Sequence, residues 1–249
     1  MQSLCALGIP TVIGELGYWS SIDLALDKVD TVFLLSSPSP EMLELHKGLI
    51  DRAVKLGVRK IVRLSAEPAG SGAKMGLYDL YEQADNYLKQ SGLAYVILRP
   101  HYFMQNIETM HAYFIKENNM FAQFLGDARI PMVDTRDIAT ASFCCLTSDD
   151  FNNQIHYITG PRSISFSDVA NALSTSLNRD IQYVPLSFED QSSGFKTAGL
   201  PDWTIDTVMT IFQSWSDSVV CDVSPDFEKI TKTKAIDINQ WASDYSGCF

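Results

Sequence analysis

An α/β fold built on a parallel sheet is predicted by three features of the 249-residue sequence. Short apolar runs without polar alternation recur along the first hundred residues. Segments with helical periodicity separate them, and glycines close several of those segments. Strands that are apolar on both faces belong to a sheet covered by helices on both sides, and parallel strands need such crossovers.

The elements follow in order. "TVIG" at 11–14 is the first apolar run, read as a strand. "SSIDLALDKV" at 20–29 reads as a helix capped by Ser20 or Ser21. "TVFLLSS" at 31–37 is a continuous apolar strand that ends in small polar residues before "PSP". "EMLELHKGLIDRAVKLG" at 41–57 is helical and stops at Gly57. "RKIVRLSA" at 59–66 is the next strand, "YDLYEQADNYLKQSG" at 78–92 a helix ending at Gly92, and "AYVILRP" at 94–100 another strand. The rhythm then loosens. "FSDVANALSTSLN" at 166–178 is a capped helix and "DIQYVPLS" at 180–187 a strand. These patterns predict an α/β core over 1–150 and a smaller α+β lobe over 151–249 that returns to cover it.

Composition narrows the function. Apolar residues make up 46% of the chain, enough for a sizeable core. The formal charge of −11 argues against nucleic acid and against an anionic membrane surface, since both need clustered Lys and Arg. No run of about 18 apolar residues offers a membrane span. The five cysteines, Cys5, Cys144, Cys145, Cys221 and Cys248, form no C-x-x-C and are odd in number. They suit reduced thiols, so a cytoplasmic setting is expected. The opening "MQSLCALGIP" has neither the basic start nor the long apolar stretch of a signal peptide.

At "LRPHYFMQN" (98–106) the sequence resembles the NmrA-like branch of atypical short-chain dehydrogenases/reductases. "GELGYWSSIDLALDKVDTVFLLSS", "LIDRAVKLGVRKIVRLSA", and "VDTRDIATAS" followed by "YITGPRSISFSDVANALS" agree with that family in order and spacing. The resemblance implies a Rossmann-like sheet, an NADP or NAD cofactor and a small-molecule substrate. Family members begin with a strand, a G-x-x-G-x-x-G turn, a helix and a second strand, and that unit has no counterpart here. A sheet truncated at its N-terminus is therefore expected, whether naturally or through a shortened gene model. The residues that separate NADH from NADPH follow the family's second strand. In the strand order 3-2-1-4-5-6, "TVIG" as strand 3 loses its neighbours. It must pair elsewhere, leave the sheet or pair with another chain. The segment 31–37 then becomes an apolar edge, which predicts homo-oligomers through that edge.

The resemblance also implies site residues. Glu15 stands where the family often has the Asp of G-D-L beside the adenine, with Leu16 next to it. Leu35, Ser36 and Ser37 would border the ribose and phosphates, and Ser65 and Pro100 end the next two strands at the cofactor. Independently, Gly70-x-Gly72-x-x-x-Gly76, with Arg99 as reader of a 2′-phosphate, imitates a nucleotide fingerprint. Residues 66–69 separate those glycines from the strand, so a flexible loop is favoured, and the resemblance implies that it lies on the substrate side. The Tyr-x-x-x-Lys pair of the broader superfamily is missing: Tyr81 occupies the Lys position and Leu77 the Tyr position. Tyr78 and Tyr81 share a helical face and are candidate acids, although an unassisted phenol titrates near 10. His101 is the best acid/base candidate because a free imidazole titrates near neutrality.

For substrate, Tyr102, Phe103, Asn106, Met132 and Trp203, with Phe121 and Phe124, either line an apolar cleft or pack a core. Asn106 alternatively caps the helix beginning "IETMHAYFIK". Asp134 and Asp137 read as a helix cap with Arg136 rather than a metal pair, and His46, His111 and His156 lack metal spacing; no metal is expected. Three functions fit these residues. The first is an NAD(P)H-dependent oxidoreductase acting on a small apolar or aromatic carbonyl or quinone. The second is a redox-inactive cyclase or isomerase using His101 and the tyrosines. The third is a non-catalytic ligand- or protein-binding regulator.

Overall fold

The computed structural model describes residues 4, 6–67, 76–218 and 221–249. In chain order its elements are α1 (Trp19–Leu26), β1 (Thr31–Leu34), α2 (Met42–Lys55), β2 (Lys60–Leu64), α3 (Leu77–Gln90), β3 (Ala94–Pro100), α4 (Gln105–Asn118) and β4 (Met120–Gln123). They continue with α5 (Thr135–Thr147), β5 (Gln154–Ile158), α6 (Phe166–Leu177), β6 (Gln182–Pro185), α7 (Phe188–Thr197), α8 (Asp202–Ser218), α9 (Asp226–Thr231) and α10 (Ile238–Asp244).

The main sheet is parallel throughout, in the order β1-β2-β3-β5. Successive residues of each strand point to opposite faces, so both faces need apolar cover. On one face Ile61 and Ile97 pack with Ile50 and Ala53 of α2 and Leu88 of α3. On the other, Val62, Val96 and Leu98 pack with Ile138 and Cys145 of α5 and Phe227 of α9. Each such side chain taken wholly out of water contributes about 2 kcal/mol. Gly57 and Gly92, at φ +78° and +83°, make the left-handed stops expected after α2 and α3.

The sequence expectations hold for β1, β2, β3 and for α2, α3 and α6, within a few residues at the ends. α6 begins with a capping box between Ser165 and Asp168. Three expectations fail. Residues 11–14 form no strand and lie exposed, because no described strand flanks β1 on that side. β1 is thus the edge of the described sheet, as the resemblance implied, with Phe33 38% and Leu35 58% exposed. α1 starts at Trp19 without a serine cap; Ser21 Oγ instead donates back to the Tyr18 carbonyl at 2.7 Å. Finally, the segments do not divide at residue 150. β5 completes the main sheet, whereas β4 leaves it to pair with β6 in a second, two-stranded parallel sheet. Residues 105–123 therefore belong with the lobe, whose own core gathers Ile107, Phe121, Phe166, Phe212 and Trp241.

Asp134 caps α5 as expected, accepting from the Arg136 backbone N–H at 2.8 Å. Asp137 sits in the first turn, 4% exposed, and its Oδ2 accepts from the Ile236 N–H at 2.7 Å. Burial pushes its carboxyl up to about 6, with nearby Asp134 adding to the effect. The folded state therefore prefers the protonated acid. The cost is present above pH 6 and fades as pH falls toward the unfolded value near 4. Asp137→Asn keeps an acceptor for Ile236 and is expected to stabilise the protein by about 1 kcal/mol at pH 7, allowing for residual solvent screening. Urea titrations at pH 7 and pH 4 check this: the gain should vanish at pH 4, and an equal gain at both would exclude titration as its source.

Candidate functional site

A cleft of about 1120 Å³ lies where the carboxyl ends of β1, β2 and β3 meet α4, α7 and α8. Open parallel sheets present ligands there because the strand ends splay into crossover loops. Leu35, Ser36, Ser65 and Pro100 form the strand-end floor. Tyr102, Phe114, Trp203, Phe212 and Trp215 supply an aromatic wall from the lobe side.

Beneath the floor runs a buried ionic chain. Asp85 of α3 takes Arg63 of β2 on one carboxylate oxygen. Its other oxygen accepts from Arg99 of β3 at 2.8 Å and from Ser65 Oγ at 3.0 Å. Arg99 reaches on to the Tyr157 hydroxyl at 3.1 Å. Arg63 Nε donates to His46 Nδ1 at 3.3 Å, and His46 Nε2 lies 2.8 Å from Ser36 Oγ. Arg63 is fully buried, Asp85 likewise, and Arg99 nearly so.

This chain sets proton directions. Burial, reinforced by the Arg63 charge, pushes His46 down to about 3, so its ring is neutral at pH 7. With Nδ1 accepting from a guanidinium, the ring hydrogen resides on Nε2 and is donated to Ser36. Ser36 Oγ gives its own proton to the Ser37 carbonyl at 3.4 Å, a long hydrogen bond that a better-placed acceptor on a ligand would displace. Ser65 has the opposite sense: its proton goes to Asp85, leaving lone pairs toward the cleft. Glu67, which also lines the cleft, sets a second carboxyl near Arg99 beside that of Asp85. A hydrogen-bond acceptor fits beside Ser36 and a hydroxyl beside Ser65.

His101 follows β3 directly, 5% exposed, and stacks on Trp215 with ring centroids 4.6 Å apart. The Tyr102 N–H donates to its Nδ1 at 2.8 Å. Burial pushes the ring down to about 3. His101 is therefore a neutral Nε2–H donor at the junction of floor and aromatic wall. The sequence expectation of an imidazole titrating near neutrality is corrected by this burial.

Most of the expected site residues converge. His101, Tyr78, Tyr81, Leu35, Ser36, Ser65, Pro100, Tyr102, Phe103, Asn106 and Trp203 all line the cleft. Burial raises the phenols of Tyr78 and Tyr81, making both poorer acids than free tyrosine. Four residues do not converge. Glu15 is exposed on the loop that leaves the sheet, Leu16 packs on the α2 side, and Ser37 is exposed outside the lining. Met132 is wholly buried in the lobe core. Asn106 is not a cap: α4 begins one residue earlier, with Met104 at the N-cap. Arg99 is committed to Asp85 and Tyr157, so it is not free to read a phosphate. The glycines at 70 and 72 lie outside the described residues. No group of three or more metal-ligating residues occurs among the described residues, and none of the described helices is long and apolar enough to cross a membrane. Cys144, Cys145, Cys221 and Cys248 are free thiols. The residues sequence reasoning missed are Arg63, Asp85 and His46. The available signal was a lone arginine inside each of two apolar strands.

A parallel sheet doubly covered by helices, with its ligand cleft at the strand ends, defines a Rossmann-like nucleotide-binding fold. The chain belongs to the NAD(P)H-binding family, whose model matches residues 3–148. It is 27% identical over 248 residues to NAD(P)H azoreductase of Xenophilus azovorans, covering 100% of this chain and 86% of the relative. Its fold matches Escherichia coli NADPH-dependent quinone oxidoreductase QOR2 complexed with NADPH, at TM-score 0.86 and 23% identity, over 98% of this chain and 86% of that one. It also matches NmrA, a negative transcriptional regulator in complex with NAD, at TM-score 0.78 and 15% identity, over 99% and 83% of the respective chains. The fold is that of the NmrA-like atypical short-chain dehydrogenases/reductases.

Proposed function

We propose that this protein is an NAD(P)H-dependent reductase of small aromatic acceptors of the carbonyl or quinone type. The observation that carries the reading is the position of the neutral His101 Nε2–H, between the polar strand-end floor and the aromatic wall. Ser36, Ser65, Leu35 and Pro100 would hold the cofactor's ribose and nicotinamide side, since donor, acceptor and apolar surfaces alternate there. When bound, the cofactor supplies the hydride. His101 would then donate a hydrogen bond to the acceptor oxygen and stabilise the negative charge that grows on it, and the reduced anion would take its proton from solvent as the product leaves. Tyr78 and Tyr81, kept neutral by burial, orient the acceptor rather than protonate it. Trp215 and Tyr102 exclude water from the junction, which strengthens the His101 contact. An azoreductase and a quinone oxidoreductase among the similar proteins name two acceptor classes of this shape.

Titration of the chain with NADPH and with NADH, followed through tryptophan fluorescence, tests the reading. Micromolar binding of one of them and oxidation of it by menadione are expected. A folded chain that binds neither would refute the reductase reading. Turnover of a substrate without either cofactor would favour the cyclase or isomerase alternative.

A further inference from the structure

The cleft is longer than a small aromatic acceptor needs. On α4 it is lined by Asn106, Met110, Phe114 and Asn118, one at each turn. On α8 it is lined by Trp203, Thr207, Ile211 and Trp215 at the same spacing. The ends of each stripe are twelve residues apart, which is about 18 Å of helix. Both stripes begin at His101. Trp215 stacks on its ring, and the Asn106 N–H donates to the Phe103 carbonyl at 3.0 Å, two residues past it. α7 packs on α8 and adds Gln191, Gly194 and Ala198 to the lining. The one charged group lining the cleft among the described residues is the Glu67 carboxyl. Glu67 stays with the strand ends, its N–H donating to the Pro100 carbonyl at 3.1 Å. Polar groups along the helices are served already. The Thr109 hydroxyl donates to the Gln105 carbonyl at 3.0 Å, Gln191 Oε1 accepts from the Phe124 N–H at 3.0 Å, and His111 is held by the Gln123 side chain. Thr204 and Thr207 are half-buried and Asn118 is exposed, so water reaches them. The far end opens between apolar side chains, with Phe114 53% and Met120 37% exposed. Apolar surface left open beside a cleft marks a binding region.

We propose that the arm of the cleft along α4, α7 and α8 takes an unbranched hydrocarbon tail carried by the aromatic acceptor whose ring meets His101. A hydrocarbon chain asks only to leave water, and these walls offer nothing else. A peptide would bring backbone N–H and C=O groups that the arm leaves without partners. A charged tail would find no counter-charge there. Gly194 shows the room available. A Cβ built on it meets nothing within 4 Å, and it sits inside α7 on the stripe shared with Gln191 and Ala198. The inference rests on the cleft taking an aromatic acceptor, and not on cofactor binding or redox chemistry.

Calorimetric titration without cofactor, using 4-methylphenol, 4-pentylphenol, 4-n-octylphenol and the branched 4-tert-octylphenol, tests it. Affinity is expected to rise about twofold per methylene up to the n-octyl chain, less than full burial would give because the arm is open at its end. The branched isomer has the same carbon count and should bind about fivefold more weakly, since fewer of its carbons reach along the arm. Gly194→Leu and Ala198→Leu narrow the arm from α7. Each should lower the ratio of n-octyl to methyl affinity about tenfold, with 4-methylphenol binding and the melting temperature unchanged. Equal binding of the two octyl isomers would overturn the tail and leave the aromatic cleft standing, because general greasiness would then explain the series. A chain-length dependence that survives in both folded variants would also overturn it, by placing the tail elsewhere. Failure of all four phenols to bind would overturn the aromatic cleft together with its arm. A chain that binds the phenols as expected but neither binds nor oxidises NADPH would refute the reductase reading alone.

Discussion

Replacing Asp85 by alanine is expected to cost about 4 kcal/mol or more, close to the whole stability of many domains of this size. The carboxylate is the only described anion touching both Arg63 and Arg99. Removing it leaves two guanidinium groups inside the sheet–helix interface with no counter-charge. Burial already weighs against the charged form of Arg63, and losing Asp85 removes its main compensation. The cost differs from that of an ordinary cavity. Deleting a carboxylate of this size from an apolar core would open a void worth a smaller penalty; here the unpaired cations dominate. The triple variant Arg63→Met, Asp85→Leu, Arg99→Met separates the two effects. Without charges to desolvate, it should regain stability to within about 2 kcal/mol of the parent. It should still bind NADPH poorly, because the donor sense of Ser36 and the acceptor sense of Ser65 both originate in the ionic chain. Urea unfolding followed by tryptophan fluorescence reads the first effect and NADPH titration the second. A loss below 1 kcal/mol for Asp85→Ala would mean that water reaches Arg63 and Arg99, and that the buried chain does not set the serine protons.

That ionic chain also shows where reading the sequence stops. Strands 31–37, 59–66 and 94–100 are legible because an unbroken apolar run needs a parallel sheet covered on both sides. The helices between them are legible because their apolar residues repeat at the helical period. "TVIG" has the composition of a strand, yet a strand also needs a neighbour, and composition does not supply one. β4 and β6 are four residues each, distant in sequence, with Met120 and Gln182 facing outward. Neither carries enough pattern to announce the pairing. The cleft floor was legible as a set of strand ends, since strand ends are where parallel sheets bind. The pairing of Arg63 with Asp85 depends on strand register and on which face of α3 turns inward. The arginine of "KIVRL" announces no role in the sequence, and that of "VILRP" reads there as a candidate for a 2′-phosphate, whereas the fold gives both to Asp85. His101 was legible in place but not in state, because its burial comes from Trp215 on α8, far along the chain.

That burial makes His101 the residue whose loss should most affect turnover. Replacing it by phenylalanine preserves the ring that stacks on Trp215 and removes the Nε2–H donor. One donor aimed at a developing oxyanion in a dry site is worth about 10²–10³ in rate. His101→Phe is expected to lower kcat by that factor in NADPH-dependent reduction of menadione, with little change in the affinity for NADPH. His101→Gln, which can place an amide N–H nearby, should recover part of the loss. The pH profile distinguishes a neutral donor from a general acid. A histidine acting as imidazolium would lose activity as pH rises through its ordinary value near 6.5. With the ring held down to about 3, the proton on Nε2 stays in place across that range, and kcat should be flat between about pH 5.5 and 8. An inflection near 6.5 that disappears in His101→Phe would show that the ring takes up a second proton during the cycle, and the electrophilic role would give way to acid catalysis. A flat profile with unchanged kcat in His101→Phe would remove His101 from the chemistry altogether.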